Sequence, residues 1–325
     1  MGFFDRFYYG KAGKRDYTEM DMPKTRVSLF FQVLKERFFD LIKLNFLQLV
    51  FWLPFLLWTF LNLAAFQNID AQAILDQENG SREFINVSGS YLVMWLLGCL
   101  PCLAITGPST AGAAYVMRNW SSDQHAFLFS DFKDAFKSNW KQALATSVFT
   151  AFVPVLAYTA ISYYSAAASM NMIMILPLIV VISAVFLWTI MLPLVYPMMI
   201  GYELSFKHIV KNAFIMATAG LPRMVFARLV TFVPVAVMLV GLYIGNGIAI
   251  MCVSIYYILI GFAFSRLVYA SIANGIFDKY LNPHIEGAVL RRGLRPQMDD
   301  EYFDDEDDED DEDEMQREES DEDDD

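Results

Sequence analysis

The chain has 325 residues, of which 56% are hydrophobic, and its formal net charge at pH 7 is −13. So apolar a composition excludes an ordinary soluble enzyme. The three cysteines, Cys99, Cys102 and Cys252, all lie in apolar runs, which excludes an extracellular disulfide framework.

Residues 1–43 form a basic segment with one amphipathic stretch. Apolar side chains recur in it at helical spacing: Val27, Phe30, Phe31, Leu34, Phe38 and Leu41. Four bases lie among or beside them: Arg26, Lys35, Arg37 and Lys43. The pattern predicts a helix that lies in the cytoplasmic interface of a membrane, or one that packs on the protein's own cytoplasmic loops.

Residues 44–298 contain six apolar runs, each long enough to cross a bilayer core of about 30 Å as a helix. They are residues 46–66, 87–106, 143–165, 172–200, 224–245 and 247–265. The fourth run is overlong and contains Pro177, Pro193 and Pro197, so we expect it to tilt, to kink or to end early. The expected fold class is therefore all-α, a polytopic helical membrane protein with about six spans.

A weak internal repeat groups these runs into pairs. The sequence SVFTAFVPV at 147–155 is similar to ARLVTFVPV at 227–235, and LVFWLPFLL at 49–57 is a looser copy. Each copy places a proline inside the first helix of a proposed hairpin. Three stacked helical hairpins would explain the repeat, and so would chance similarity among helices rich in valine and phenylalanine.

Lysine and arginine residues are distributed unevenly among the segments that connect the spans. Nine precede the first span, whereas the connection 67–86 contains only Arg82 and the two other short connections contain none. Because cytoplasmic loops are enriched in these residues, both termini are expected to face the cytoplasm. We therefore expect a multi-pass protein of the plasma membrane, with the lipid bilayer as one partner and no nucleic-acid partner.

The negative charge is confined to the tail at residues 299–325, which contains 21 acidic residues and one base. Residues 1–298 are basic, with 23 lysines and arginines against 16 acids. The tail has almost no apolar residues and repels itself, so it is expected to be disordered. It could bind cations weakly, mask the protein's own basic loops, bind a basic partner, or remain a solvated segment without a dedicated partner.

Cys99 and Cys102 have the spacing of a dithiol redox pair. Both lie inside an apolar run, where burial disfavours a reactive thiolate, so structural cysteines are the favoured interpretation. The histidines His125, His208 and His284 are far apart and show no metal-ligand spacing. We therefore expect no catalytic residues, no metal site and no cofactor.

Ionisable residues within membrane spans usually mark ion or proton pathways. None lies near the centre of a predicted span, and Glu203, Arg228 and Arg266 map to cytoplasmic ends, where snorkelling or pairing explains them. Transport coupled to protons or sodium is thus disfavoured. A non-coupled pore, a lipid-handling role and an accessory subunit remain open.

The most distinctive pattern is LPCLAITGPSTAGAAYVMRNW at 100–120, followed by HAFLFSDFKDAFKSNWKQAL at 125–144. This pattern predicts a helix that leaves the membrane, a cytoplasmic loop and an amphipathic helix that re-enters the membrane. Three aromatic residues share one face of that last helix: Phe132, Phe136 and Trp140. Lys133, Lys137 and Lys141 form an adjacent stripe suited to lipid headgroups.

Gly107 and Pro108 predict a helix start that Thr106 can cap. A helix N-terminus at this boundary could hold a lipid phosphate. Alternatively, the small residues at 111–114 form a turn that lets helices approach closely.

This pattern resembles the YesL family of bacterial multi-pass membrane proteins, a family of unknown function. The candidate membrane-exit and docking motif consists of Thr106, Gly107, Pro108, Arg118, His125, Phe132, Phe136, Lys137, Asn139, Trp140 and Lys141. Residues 55–94, Cys102 and the acidic tail depart from the family pattern. The resemblance implies an accessory role in sugar import, because some members are encoded beside carbohydrate-uptake transporters and polysaccharide-degrading enzymes.

Three functions follow from these observations. The first is a non-enzymatic accessory or scaffold protein linked to carbohydrate uptake, which docks a sugar ABC importer or another membrane complex through residues 107–142 and 201–223. The second is a small-solute or lipid permease, which requires a polar path between helices. The third and least favoured is a membrane thiol oxidoreductase, which requires Cys99 and Cys102 to be accessible.

Overall fold

The computed structural model describes residues 22–296, and within that range all regular secondary structure is helical. The first 21 residues and the acidic tail lie outside the described residues, so the disorder expected for the tail stays a prediction. Residues 22–24 and 294–296 belong to a small separate unit, in which the amide of Arg295 donates to the carbonyl oxygen of Pro23 at 3.1 Å. Residues 25–293 form the larger unit.

Eleven α-helices occupy the larger unit over its described residues. The first six are α1 (Arg26–Glu36), α2 (Phe38–Gln67), α3 (Ala71–Leu75), α4 (Gly80–Ala104), α5 (Thr106–Trp120) and α6 (Leu128–Met170). The other five are α7 (Ile175–Gly201), α8 (Phe206–Ala219), α9 (Leu221–Tyr243), α10 (Gly247–Tyr256) and α11 (Phe262–Tyr280). A π-helical turn, Tyr257–Gly261, joins α10 to α11, and 3-10 turns precede α7 and follow α11.

Six helical segments are long and apolar enough to span a membrane. They are Phe38–Gln67, Gly80–Ala104, Leu128–Met170, Met172–Gly201, Leu221–Tyr243 and Gly247–Tyr280. Each overlaps one of the predicted apolar runs, and the predicted all-α polytopic fold is confirmed. The fourth segment does not end early: Pro177 falls in the first turn of α7, where no backbone N–H is needed, and the helix continues through Pro193 and Pro197 to Gly201.

The spans form three helical hairpins, which is the arrangement expected if the weak proline repeat is real. They are α2 with α4, α6 with α7, and α9 with α10 and α11. The first helix of each hairpin contains one of the predicted prolines, Pro54, Pro154 and Pro234. The short hairpin connections define the turn end of the molecule. The opposite end is the basic end, because it carries every lysine and arginine between residues 25 and 293 except Arg82.

At the basic end, the ends of the spanning helices pack together with α8 into a core. The last turns of α7 supply Leu194 and Val195, α8 supplies Ile209, and α11 supplies Ile276 and Phe277. All five side chains are buried. Toward the turn end, large apolar side chains instead remain exposed on the helix surfaces, as expected of helices surrounded by lipid.

Helix α1 covers only part of the predicted amphipathic stretch, because the helical geometry is interrupted at Arg37. Leu29 and Val33 are buried, so one face of α1 packs on the protein itself. Val27 and Phe31 are more than 60% exposed. That exposed apolar edge is compatible with the interfacial position, which stays a prediction.

The side chain of Asn45 connects the first span to the last. Its Nδ2 donates to the carbonyl oxygens of Tyr257 at 3.0 Å and Ile258 at 2.8 Å, and its Oδ1 accepts the amides of Phe262 at 3.0 Å and Ala263 at 3.1 Å. A π-helical turn interrupts the regular backbone ladder of an α-helix. The fully buried Asn45 therefore completes backbone hydrogen bonding that hydrocarbon could not satisfy.

Replacing Asn45 with leucine should lower the free energy of unfolding by roughly 2–4 kcal/mol, because four buried backbone groups lose their partner. Gln48→Leu is the matched control, one turn further along α2. Gln48 is fully buried, and its amide atoms have no hydrogen-bond partner among residues 22–296, so its replacement should be neutral or stabilising. Thermal unfolding in detergent measures both variants. Equal losses, or none for Asn45→Leu, would contradict the role given to Asn45.

Candidate functional site

Helix α5 carries the centre of the predicted motif, and it lies inside the molecule. All of its residues are buried except Tyr115, Arg118 and Asn119, which are half-buried. It contacts α2, α4, α6, α7 and α11. Thr106, Gly107 and Pro108 are therefore interior residues and do not contribute to a docking surface.

The small residues of α5 allow α6 to approach it closely. A Cβ atom on Gly107 would overlap the carbonyl group of Ala143 and the hydroxyl group of Ser147, and one on Gly112 would lie 2.8 Å from the carbonyl oxygen of Phe132. The Ser147 hydroxyl also donates to the carbonyl oxygen at the end of α4, at 2.5 Å. Close helix approach is thus the alternative that the structure supports for this segment.

Thr106 does not cap α5, and that prediction was wrong. Ile105, the single residue between α4 and α5, keeps helical backbone angles, so the chain passes from one helix to the next across a kink. The Thr106 hydroxyl donates backward to the carbonyl oxygen of Leu103 at 2.8 Å. Since Thr106 through Thr110 are all buried, this helix start is closed to a lipid phosphate.

The second half of the motif divides between core and surface. Phe132 is buried, and the Phe136 ring lies 5.6 Å from the ring of Phe51. Trp140 is 46% exposed, and the ammonium group of Lys141 lies 5.7 Å from its ring. We call Lys133, Lys137, Trp140 and Lys141 the lysine stripe; all four are exposed.

Two further motif residues lie beside this surface. The exposed ring of His125 meets that of Phe127 edge to face at 4.5 Å. The half-buried Asn139 donates from its Nδ2 to the carbonyl oxygen of Ala135 at 3.1 Å, within α6. His125 is therefore part of the exposed surface, whereas Asn139 serves its own helix.

Arg118 is held by an aromatic ring. Its guanidinium carbon lies 5.5 Å from the centre of the Tyr202 ring, and it packs on Gly201, where a Cβ atom would lie only 2.6 Å from it. Burial raises the pKa of Tyr202, although the charge of Arg118 opposes the shift. The Tyr202 hydroxyl therefore stays protonated, and it donates to the side chain of Asn282 at 2.6 Å.

Polar contacts fasten the C-terminal end of α5 to α1 and α11. The side-chain amide of Asn274 donates to the hydroxyl groups of Ser121 at 2.7 Å and Ser122 at 2.8 Å. Arg26 donates to the carbonyl oxygen of Ser121 at 3.1 Å and forms an ion pair with Asp278 at 2.5 Å. Sequence reasoning missed these partners, because each lies far along the chain from α5. The available signal was the pair Asn274 and Asp278, which lie four residues apart on one face of α11.

The cysteine pair lies within α4, where Cys99 is buried and Cys102 is half-buried; both are free thiols. No group of three or more histidine, cysteine or acidic residues that could hold a metal ion occurs among residues 22–296. A cavity of about 880 Å³ lies nearer the turn end, between α2, α4 and α6. Asn86, Ser90 and Tyr158 line its polar part.

Gly107→Ala should lower the free energy of unfolding by about 1–3 kcal/mol, because the added methyl group forces α5 away from α6. Gly247→Ala is the control, since a Cβ atom at that helical glycine would meet nothing within 4 Å. Unfolding midpoints in one detergent compare the two. A Gly107→Ala protein as stable as the control would show that the helices do not depend on this close approach.

Residues 90–161 match the family model described as "Protein of unknown function, DUF624". The matched range covers the second part of α4, all of α5 and most of α6. No curated protein and no solved structure matches the chain. DUF624 is the YesL-like family, so the predicted resemblance is confirmed for this range: the protein is a helical membrane protein, and its residues 90–161 are similar to the YesL-like, DUF624 family.

Proposed function

We propose that the protein is a non-enzymatic accessory component of a membrane complex, which it binds through the lysine stripe. The observation that carries this proposal is that Lys133, Lys137 and Lys141 are exposed on a helix whose opposite side is fixed in the core. No carboxylate lies within 4 Å of these three ammonium groups in the described part of the chain. The stripe is thus a rigid, uncompensated basic surface with one exposed tryptophan.

A rigid basic surface favours an acidic partner surface. Unpaired charges steer association and fix its orientation, and an exposed tryptophan beside them supplies apolar contact area. The family resemblance supports a sugar ABC importer as the partner complex. In this arrangement the protein lies in the plasma membrane and its basic end faces the cytoplasm, in line with the distribution of lysine and arginine.

The cavity near the turn end favours a second candidate function, a small-solute or lipid permease. Its volume of about 880 Å³ would admit a small solute or a lipid chain, and Asn86 and Ser90 offer hydrogen-bonding groups. Uptake of labelled solutes into proteoliposomes tests this candidate. Uptake that Ser90→Leu abolishes would favour the permease over the accessory role.

Affinity purification from native membranes in mild detergent tests the accessory role. We expect a sugar-importer subunit to co-purify with the intact chain and to be lost with K133E/K137E/K141E, because reversed charges repel an acidic partner. K133R/K137R/K141R keeps the charge and should retain the partner. Recovery of the protein alone from wild-type membranes would contradict the proposal.

Two further variants locate the contact. K207E/K211E reverses two exposed charges on α8, in the second predicted docking region, and it should leave the partner bound if α6 alone carries the contact. A chain that ends at Met298 removes the acidic tail. Loss of the partner from that chain alone would transfer the docking role from the lysine stripe to the tail.

A further inference from the structure

Two arginines lie within the apolar spans on the side of the basic end. Arg228 of α9 donates from its Nε to the carbonyl oxygen of Thr189 at 2.6 Å and from its Nη1 to the hydroxyl of Tyr269 at 3.0 Å. Arg266 of α11 donates from its Nη2 to the hydroxyl of Thr110 at 3.2 Å. Each guanidinium also lies over an aromatic ring, Arg228 at 5.2 Å from Tyr269 and Arg266 at 5.9 Å from Tyr196.

These guanidinium groups share one electrostatic environment and lack a counter-charge. Arg228 donates to the hydroxyl of Tyr269, and Tyr269 lies one helical turn after Arg266 on α11, so the two arginines lie near the same residue. Within residues 22–296 no carboxylate lies within 4 Å of either group. Two like charges removed from bulk water without an anion are unfavourable, and tyrosine rings and neutral acceptors compensate only part of that cost.

Several N–H donors of the pair are still free. Nη2 of Arg228 and both Nε and Nη1 of Arg266 make no hydrogen bond to the described residues. Both arginines are half-buried rather than sealed in the core. Phe226 and Leu229, which flank Arg228 on α9, are about 60% exposed. Arg228 is therefore at the edge of the lipid-facing surface of the bundle, whereas Arg266 lies further inside, against the buried Thr110 and Tyr196.

The position of the arginines along their helices places them in the half of the membrane next to the basic end. Arg228 lies 15 residues before the end of α9, about 22 Å from the turn end, and Arg266 lies 19 residues after Gly247, about 28 Å from the same end. Measured from the turn end, a hydrocarbon core of about 30 Å puts Arg266 close to the opposite boundary and Arg228 about 8 Å inside it, a depth from which a long arginine side chain can extend toward the lipid phosphates. Basic pockets between spanning helices at that boundary are suited to phospholipid headgroups.

We propose that Arg228 and Arg266 form a binding site for a phosphate group, supplied by the headgroup of an anionic phospholipid in the leaflet at the basic end. The planar guanidinium fork matches the oxygens of a phosphate, and a phosphodiester carries the single negative charge that the pair lacks. The site is separate from the lysine stripe on α6 and does not depend on the accessory role.

The test is the thermal stability of the purified full chain in a neutral detergent. Added phosphatidylglycerol should raise the unfolding midpoint, and phosphatidylcholine at the same concentration should not. Inorganic phosphate is the third arm. A rise with inorganic phosphate equal to that with phosphatidylglycerol would support a phosphate site but overturn its assignment to a lipid. No difference between the two lipids would overturn the site.

Substitutions assign the effect to the two residues. R228Q/R266Q should raise the half-saturating phosphatidylglycerol concentration at least about tenfold, because two charge-assisted interactions are lost. R223Q is the matched control, since Arg223 is an exposed arginine on the same helix, and it should leave the titration unchanged. If the double variant does not fold, R266K keeps the charge without the fork and should weaken binding to a smaller extent. An unchanged titration in R228Q/R266Q, or an equal loss in R223Q, would overturn the proposal.

Discussion

Hydrocarbon offers no hydrogen-bond partners, so every backbone N–H and C=O within the spans must be satisfied by the protein. Asn45 meets this constraint at the π-helical turn, where one side chain pairs two carbonyl and two amide groups. The same four bonds connect α2 to the segment between α10 and α11, and hence the first hairpin to the third. That connection helps to enclose α5, which contacts both α2 and α11.

Because α5 is enclosed, the centre of the range that matches the family model, residues 90–161, is buried in the molecule. Its glycines and alanines permit close packing with α6, and its polar end is fastened by Asn274 and by the ion pair of Arg26 with Asp278. Most of this segment therefore builds the architecture of the basic end. The loop around His125 and the first turns of α6, with the lysine stripe, are exposed.

Apolar runs of about 20 residues were sufficient to predict six spans, because this signal is local in the chain, whereas the weak proline repeat left three hairpins and chance similarity open. The start of α5 was predicted incorrectly, since nothing local shows that Ile105 continues the helix before it. The tyrosines that hold Arg118, Arg228 and Arg266 could not be predicted either. Each such pair joins different helices, and its formation depends on the packing of the whole bundle.

Helix α6 has 43 residues, so it is about 64 Å long, roughly twice the thickness of the hydrocarbon core. It begins in the compact helical assembly at the basic end and ends at the hairpin turn on the opposite side of the membrane. Pro154 cannot donate a backbone hydrogen bond, so α6 can bend at this position within the membrane. Because the basic end of α6 is fixed in the core, bending at Pro154 would displace the part of the helix between Pro154 and Met170.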